Sequence, residues 1–155
     1  MRKKNGRVKG EPIMLSVGLD IHGVIDAYQG FFSRLSKGLK KRGCPVHIIT
    51  GQSWEEVKST VEKAGIHYDY HFSIVDYHLE IGTKMKKDAK GWHMDDRIWV
   101  RSKGDYIHRE KIDLHFDDSY EYAEYCPPNC TFVLVPKTNF EATFLSLSNL
   151  MGYII

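Results

Sequence analysis

Six side chains could do chemistry together if the fold gathered them. They are Asp20 and His22 in VGLDIHGVID, Thr50 at the end of PVHIIT, Lys103 ahead of GDYIHREK, and Asp117 with Asp118 closing IDLHFDD. Carboxylates meeting at one place suit a hard divalent cation such as Mg2+, which takes oxygen ligands and keeps waters or a phosphate in its shell. A hydroxyl and an ammonium beside them suit the phosphate itself. An aspartate can also attack phosphorus, dividing a hard displacement into two easier steps. Histidine changes charge near neutrality and suits proton transfer. Two residues apart in an extended segment, Asp20 and His22 would point to the same side. Gly23 would then let the backbone turn sharply or approach a ligand closely.

The elements that must position these groups alternate along the chain. IMLSVGLD, residues 13 to 20, predicts a buried strand, and FFSRLSKGLKKRG, 31 to 43, predicts a helix with Phe31, Leu35 and Leu39 on its apolar face and Gly43 as its C-cap. A second strand is expected at 45–50. The following helix opens at Ser53, with Glu56 completing a capping box, and closes at Gly65. Further strands are expected at 71–75, 112–116 and 131–135, the helical segment GDYIHREK leads into the second of these, and a final helix begins at FEATFL. Residues 76 to 103 form an insertion, expected as a short helix and then a hairpin or irregular excursion in which RIWVR alternates. Strands alternating with helices predict an α/β fold, a three-layer, mostly parallel, Rossmann-like sheet. Polar residues at the carboxyl ends of its strands then fall where open α/β sheets bind ligands. Residues 13–155 would be one domain with a small insertion and no large cap domain.

Composition narrows the class. With 155 residues, 42% hydrophobic and 27% charged, the chain matches an ordinary globular domain. Its net charge of +2 hides an asymmetry, because Arg2, Lys3, Lys4, Arg7 and Lys9 fall in a short tail, 1–12, expected to be disordered. The remainder is acidic, which argues against nucleic-acid binding on charge alone. No apolar run is long enough for a membrane span and no secretory signal is visible, so a cytoplasmic location is expected. Three cysteines, Cys44, Cys126 and Cys130, cannot all pair within the chain and fit a reducing compartment. CPPNC with His108 and His115 lacks the second paired cluster of a structural zinc site, and His67 with His71 reads as a loop entering a strand.

In LDIHGVID, IIT, Lys103 and LHFDDS, taken in that order, the chain resembles the haloacid dehalogenase superfamily of phosphatases and phosphotransferases over most of residues 13 to 135. The resemblance implies that Asp20 is the nucleophile and that Thr50, Gly51 and Lys103 hold the transferred phosphoryl group. It also implies Mg2+ held by Asp20, by the backbone carbonyl of His22, and by Asp117 with Asp118, of which Asp118 either ligates directly or orients the shell. The family's phosphatases usually carry a second aspartate where this chain has His22, as general acid and base. His22 is therefore either an unusual acid/base or a mark of slowed hydrolysis. The expected activity is that of a Mg2+-dependent hydrolase, a phosphatase forming an aspartyl-phosphate on Asp20; the alternative is a catalytically weak protein that binds Mg2+ and a phosphorylated partner. Expected substrates are a phosphorylated small molecule or nucleotide, or, through an open site, a phosphorylated polynucleotide end or protein. Lys84, Lys86, Lys87 and Lys90 in the insertion would favour an anionic one. Lys103 is expected to contribute little to folding, as an exposed lysine would.

Overall fold

The computed structural model describes residues 14–150, with side chains described to 146; the basic tail 1–12 lies outside them. Five parallel strands form the central sheet: β1 (Val17–Leu19), β2 (Val46–Thr50), β3 (Tyr70–Ser73), β6 (Leu114–Asp117) and β7 (Thr131–Leu134). Their spatial order is β3-β2-β1-β6-β7. A separate antiparallel hairpin, β4 (Lys86–Asp88) with β5 (Gly91–His93), stands outside this sheet. The helices are α1 (Gln29–Lys41), α2 (Trp54–Lys63), α3 (Ile74–Glu80), α4 (Asp96–Arg109) and α5 (Phe140–Leu150), with a 3-10 segment at Tyr120–Tyr125.

Strand alternation divides the core into two layers. Val46 and Ile48 of β2 and Phe116 of β6 face α1, α2 and α5, where Phe31, Phe32 and Phe140 pack edge to face around them. Ile49 faces the opposite side, with Tyr106 and Ile107 of α4, Tyr77 of α3 and Tyr122 of the 3-10 segment. A sheet covered by helices on both faces is a three-layer α/β, Rossmann-like architecture. Each fully buried Phe or Ile contributes about 1.5–3 kcal/mol relative to leaving it exposed.

Local signals explain where helices stop. After α1, Gly43 takes φ +72°, its N–H donates to the Lys40 carbonyl, and Cys44 N–H donates to that of Leu39. Gly65 ends α2 in the same way. Both are Schellman caps, which need the left-handed conformation that glycine tolerates. The start of α2 differs from expectation, because Ser53 makes no side-chain cap. Its place is taken by Asp76 of α3, whose carboxylate accepts from Trp54 N–H at 2.8 Å. A distant carboxylate has displaced the local one.

Within residues 76–103 the expected short helix and hairpin form, as α3 and β4–β5, and only RIWVR departs from expectation. RIWVR belongs to α4, capped by Asp95, whose carboxylate accepts from Arg97 and Ile98 N–H. The hairpin lies earlier, in the lysine-rich turn. The strand expected at 71–75 ends at Ser73, because the Ser73 hydroxyl accepts from Asp76 N–H and starts α3. Lys103 is therefore inside a helix of fourteen residues, not ahead of one.

Candidate functional site

β2 and β3 leave β1 on one side, and β6 and β7 lie on the other. The sheet therefore changes direction between β1 and β6, and their carboxyl ends frame a crevice of the kind that binds ligands in such sheets. Leu19 pairs with Phe116, and Asp20 N–H donates to the Phe116 carbonyl at 3.0 Å. That register puts Asp20 level with Asp117 on the neighbouring strand.

Lys103 joins the two. Its Nζ lies 3.0 Å from Asp20 Oδ1 and donates to Asp117 Oδ2 at 2.7 Å. Its stem is enclosed, leaving the residue 2% exposed, and its ammonium stands 4.2 Å from the centre of the Tyr122 ring. The lysine expected to be exposed is thus a buried part of the core. α4 can approach closely enough because residue 104 is glycine; a Cβ there would stand 2.2 Å from the Tyr125 carbonyl oxygen.

The electrostatics follow from burial. Desolvation raises the Asp20 pKa, and the nearby Asp117 charge adds to it, so Lys103 only partly offsets the rise. Burial would also raise Asp117, but a hydrogen bond from His115 and the Lys103 charge bring it down to about 2. Desolvation alone would lower Lys103; the two carboxylates overrule it and hold the ammonium charged. One oxygen from each of Asp20, Asp117 and Asp118 falls within 4.8 Å of the others. When all three are ionised, one ammonium leaves two negative charges uncompensated. An oxygen-only donor set with that charge fits a hard divalent cation. Among the described residues no other such cluster forms, and Cys126, Cys130, His108 and His115 do not converge on a metal site.

Asp118 owes its place to Gly23. Gly23 has φ +71° after His22 at φ −70°, ψ 130°, which is a type II turn. A Cβ on Gly23 would lie 2.2 Å from Asp118 Oδ2. The turn also separates the two residues expected to share a side: β1 ends at Leu19, Asp20 is buried, and the His22 side chain is 54% exposed. His22 Nδ1 lies 3.0 Å from Asp26 Oδ2, and Nε2 lies 2.8 Å from Gln52 Oε1. Asp26 holds the turn with its other oxygen, accepting from Gly23 N–H at 2.7 Å. Partial burial would lower the His22 pKa, but the hydrogen bonds to Gln52 and Asp26 and the charges of Asp26 and Asp20 raise it.

Thr50 ends β2 in full burial, and its hydroxyl oxygen accepts from Gln52 N–H at 3.3 Å. Gly51 lies against Trp99, where a Cβ would meet the indole at 3.1 Å. The Thr50–Gln52 loop is anchored by Ser73, whose hydroxyl donates to the Gln52 carbonyl at 2.7 Å. The structure thus brings Asp20, Lys103, Asp117 and Asp118 together and places Thr50 and Gly51 on the adjoining loop, which reaches the His22 turn through Gln52.

Asp26, Gln52 and Tyr122 join the site without having been singled out in the sequence, and His115, weighed there only as a zinc ligand, joins it beside Asp117. Asp26 stands four residues from His22, a spacing that pairs side chains on one helical turn. His115 stands two residues from Asp117, on the same face of β6; it is fully buried, and its Nε2 lies 3.2 Å from Asp117 Oδ2. Gln52 and Tyr122 carried no local signal. No family model matches this chain, and no curated protein or solved structure matches it either.

Proposed function

We propose that this chain is a phosphomonoester hydrolase of the haloacid dehalogenase type, working through an aspartyl-phosphate on Asp20. The observation that carries this reading is the buried Asp20–Lys103–Asp117 bridge, with Asp118 beside it, at the crevice between β1 and β6. Mg2+ held by Asp20, Asp117, Asp118 and the His22 carbonyl would supply positive charge to the phosphoryl oxygens. Lys103 grips Asp20 Oδ1, so the carboxylate is oriented before substrate arrives. An Asp20 oxygen forms the bond to phosphorus as the ester bond breaks, and the electron pair leaves on the departing oxygen. His22, held toward its charged form by two acceptor oxygens, donates a proton to that oxygen. The neutral imidazole then takes a proton from the water that attacks the aspartyl-phosphate, which frees phosphate and restores Asp20. Thr50 and Gly51 would hold the phosphoryl oxygens from the β2 loop. Three unpaired thiols suit a reducing, cytoplasmic setting for this chemistry.

A second reading, a weakly catalytic protein that holds Mg2+ and a phosphorylated partner, is favoured by one observation. Both His22 ring nitrogens already have partners, which restrains the ring from moving with a reacting group. Hydrolysis of an aryl phosphate with Mg2+ and with EDTA, in the parent and in Asp20→Asn, separates the two. Turnover that needs the metal and is lost in Asp20→Asn supports the hydrolase. Metal binding without turnover supports the second reading, and full turnover by Asp20→Asn contradicts the first.

A further inference from the structure

The β2 loop touches two features at once. Gln52 meets His22 Nε2 through its side chain, and it also lines a cavity of about 240 Å3 that continues past Gly51 toward the β4–β5 hairpin. Two tryptophans, Trp92 of β5 and Trp99 of α4, line the same cavity, with Glu56 and Lys90 completing its polar part. Its size falls below the range of drug-sized sites, so it suits a single small ring system.

The walls are held in place. The Trp99 indole N–H donates to the Tyr122 hydroxyl at 3.1 Å, and Tyr122 is the ring beneath Lys103. The edge of the Trp99 indole meets bare Gly51, where a side chain would crowd it. Trp92 pairs in register with Lys87 on β4, whose ammonium stands 5.4 Å from the indole centre and 3.5 Å from the Glu56 carboxylate. The hairpin is thereby fastened to α2 on the far side of the cavity. Indole faces stack on flat π-systems, while the Gln52 amide, the Glu56 carboxylate and the Lys90 ammonium offer both donors and acceptors to a ring edge. Together they fit a heterocycle better than a sugar or an alkyl chain.

We infer that this cavity receives the heterocyclic base of a nucleoside monophosphate, the leaving-group side of the substrate. The inference rests on the proposed hydrolase reading for direction. If His22 protonates the departing oxygen, the group attached to that oxygen lies beside His22, and Gln52 leads from there into the cavity. Lys90 on the lining and Lys87 over the Trp92 ring outnumber the one carboxylate there, Glu56, and that net positive charge suits an anionic ligand. The small hairpin does the selecting that a larger cap would do.

Two measurements test this with separable failures. The first is kcat/KM for adenosine monophosphate, phenyl phosphate and glycerol phosphate in the parent, Trp92→Ala and Trp92→Phe. Base stacking on an aromatic side chain predicts that the nucleotide exceeds glycerol phosphate by about tenfold or more. Trp92→Ala should erase that advantage and leave glycerol phosphate unchanged, and Trp92→Phe should keep most of it. The second is titration of adenosine alone, without phosphate, followed by tryptophan fluorescence. A saturable change in the parent, lost in Trp92→Ala, supports the cavity even if no ester is hydrolysed, in which case only the hydrolase reading fails. Equal rates on all three esters with no saturable change on adenosine overturn the cavity assignment while leaving hydrolysis standing. A nucleotide preference that survives Trp92→Ala overturns it too.

Discussion

Lys103 meets Asp20 and Asp117 inside the protein, whereas His22 meets Asp26 and Gln52 at its surface. The two clusters flank one short turn and are built in opposite ways. In the buried cluster, desolvation is the largest influence on every group, and mutual charge decides which of them stay ionised. In the exposed cluster desolvation is again the largest single influence, but two hydrogen bonds and the Asp26 and Asp20 charges together overrule it, and solvent screens those charges. Groups that must keep a fixed charge belong in the first setting. A group proposed to change charge in each cycle, as His22 is, belongs in the second.

The contrast is sharpest at Lys103. Removing one partner from a buried ion cluster leaves unpaired charge and costs about 3–5 kcal/mol. Lys103→Met should therefore lose that much stability in denaturant titrations as well as all measurable turnover. The same variant should recover stability as pH falls and its stranded carboxylates take up protons. A stable, inactive Lys103→Met would show that the bridge is not energetically coupled to the fold.

His22→Ala should show the reverse balance. Loss of a positioned acid/base costs about 10²–10⁴-fold in rate, whereas an exposed ion pair contributes at most about 1 kcal/mol to folding. Comparing kcat with the denaturation midpoint checks both halves. A rate equal to the parent's would move His22 from chemistry to turn structure and favour the binding protein.

Gly23 is the seam between the clusters. Gly23→Ala combines a left-handed φ with a clash against Asp118, so a loss of about 1–3 kcal/mol is expected, together with weaker Mg2+ binding by calorimetry. Lost stability with unchanged Mg2+ affinity would exclude Asp118 from the metal site.

The smallest effects are pH limbs of opposite sign. Asp117 has a depressed folded value, so its contribution is present above the ordinary carboxylate value of 3.8 and is lost as pH falls toward about 2. Asp20, with a raised value, acts in the opposite sense, which makes the loss cleanest in Asp20→Asn. His22 has a raised folded value, so its contribution is full below 6.5 and disappears as pH rises through that raised value. Exposure limits it to well under about 1 kcal/mol, and high salt should reduce it further. Denaturation midpoints across pH, at low and high salt, would resolve the two limbs; a salt-sensitive acid limb with a salt-insensitive alkaline one would invert the comparison.

Much of this was legible in the sequence. Strand ends are marked by the change from apolar to polar residues, so Asp20, Thr50 and Asp117 could be placed at carboxyl ends before any pairing was known. Parallel order followed from the alternation of strands with helices. What stayed hidden depended on distant partners. RIWVR alternates like a strand, yet Asp95 caps it as a helix, and packing against the 3-10 segment encloses Lys103. Ser53 and Glu56 spell a capping box, yet Asp76 supplies the cap. Gln52 sits in an ordinary loop sequence; only the folded chain brings it to His22, thirty residues away.

The central claim is that Asp20 takes the phosphoryl group, and mass spectrometry after acid quenching of the protein turning over a phosphate ester with Mg2+ tests it most directly. The peptide carrying Asp20 should gain the mass of one phosphoryl group, the gain should vanish with EDTA or in Asp20→Asn, and it should persist longer in His22→Ala, where water is no longer activated. Steady turnover of the ester by Asp20→Asn, with no modified peptide in the parent under the same quench, would contradict the account.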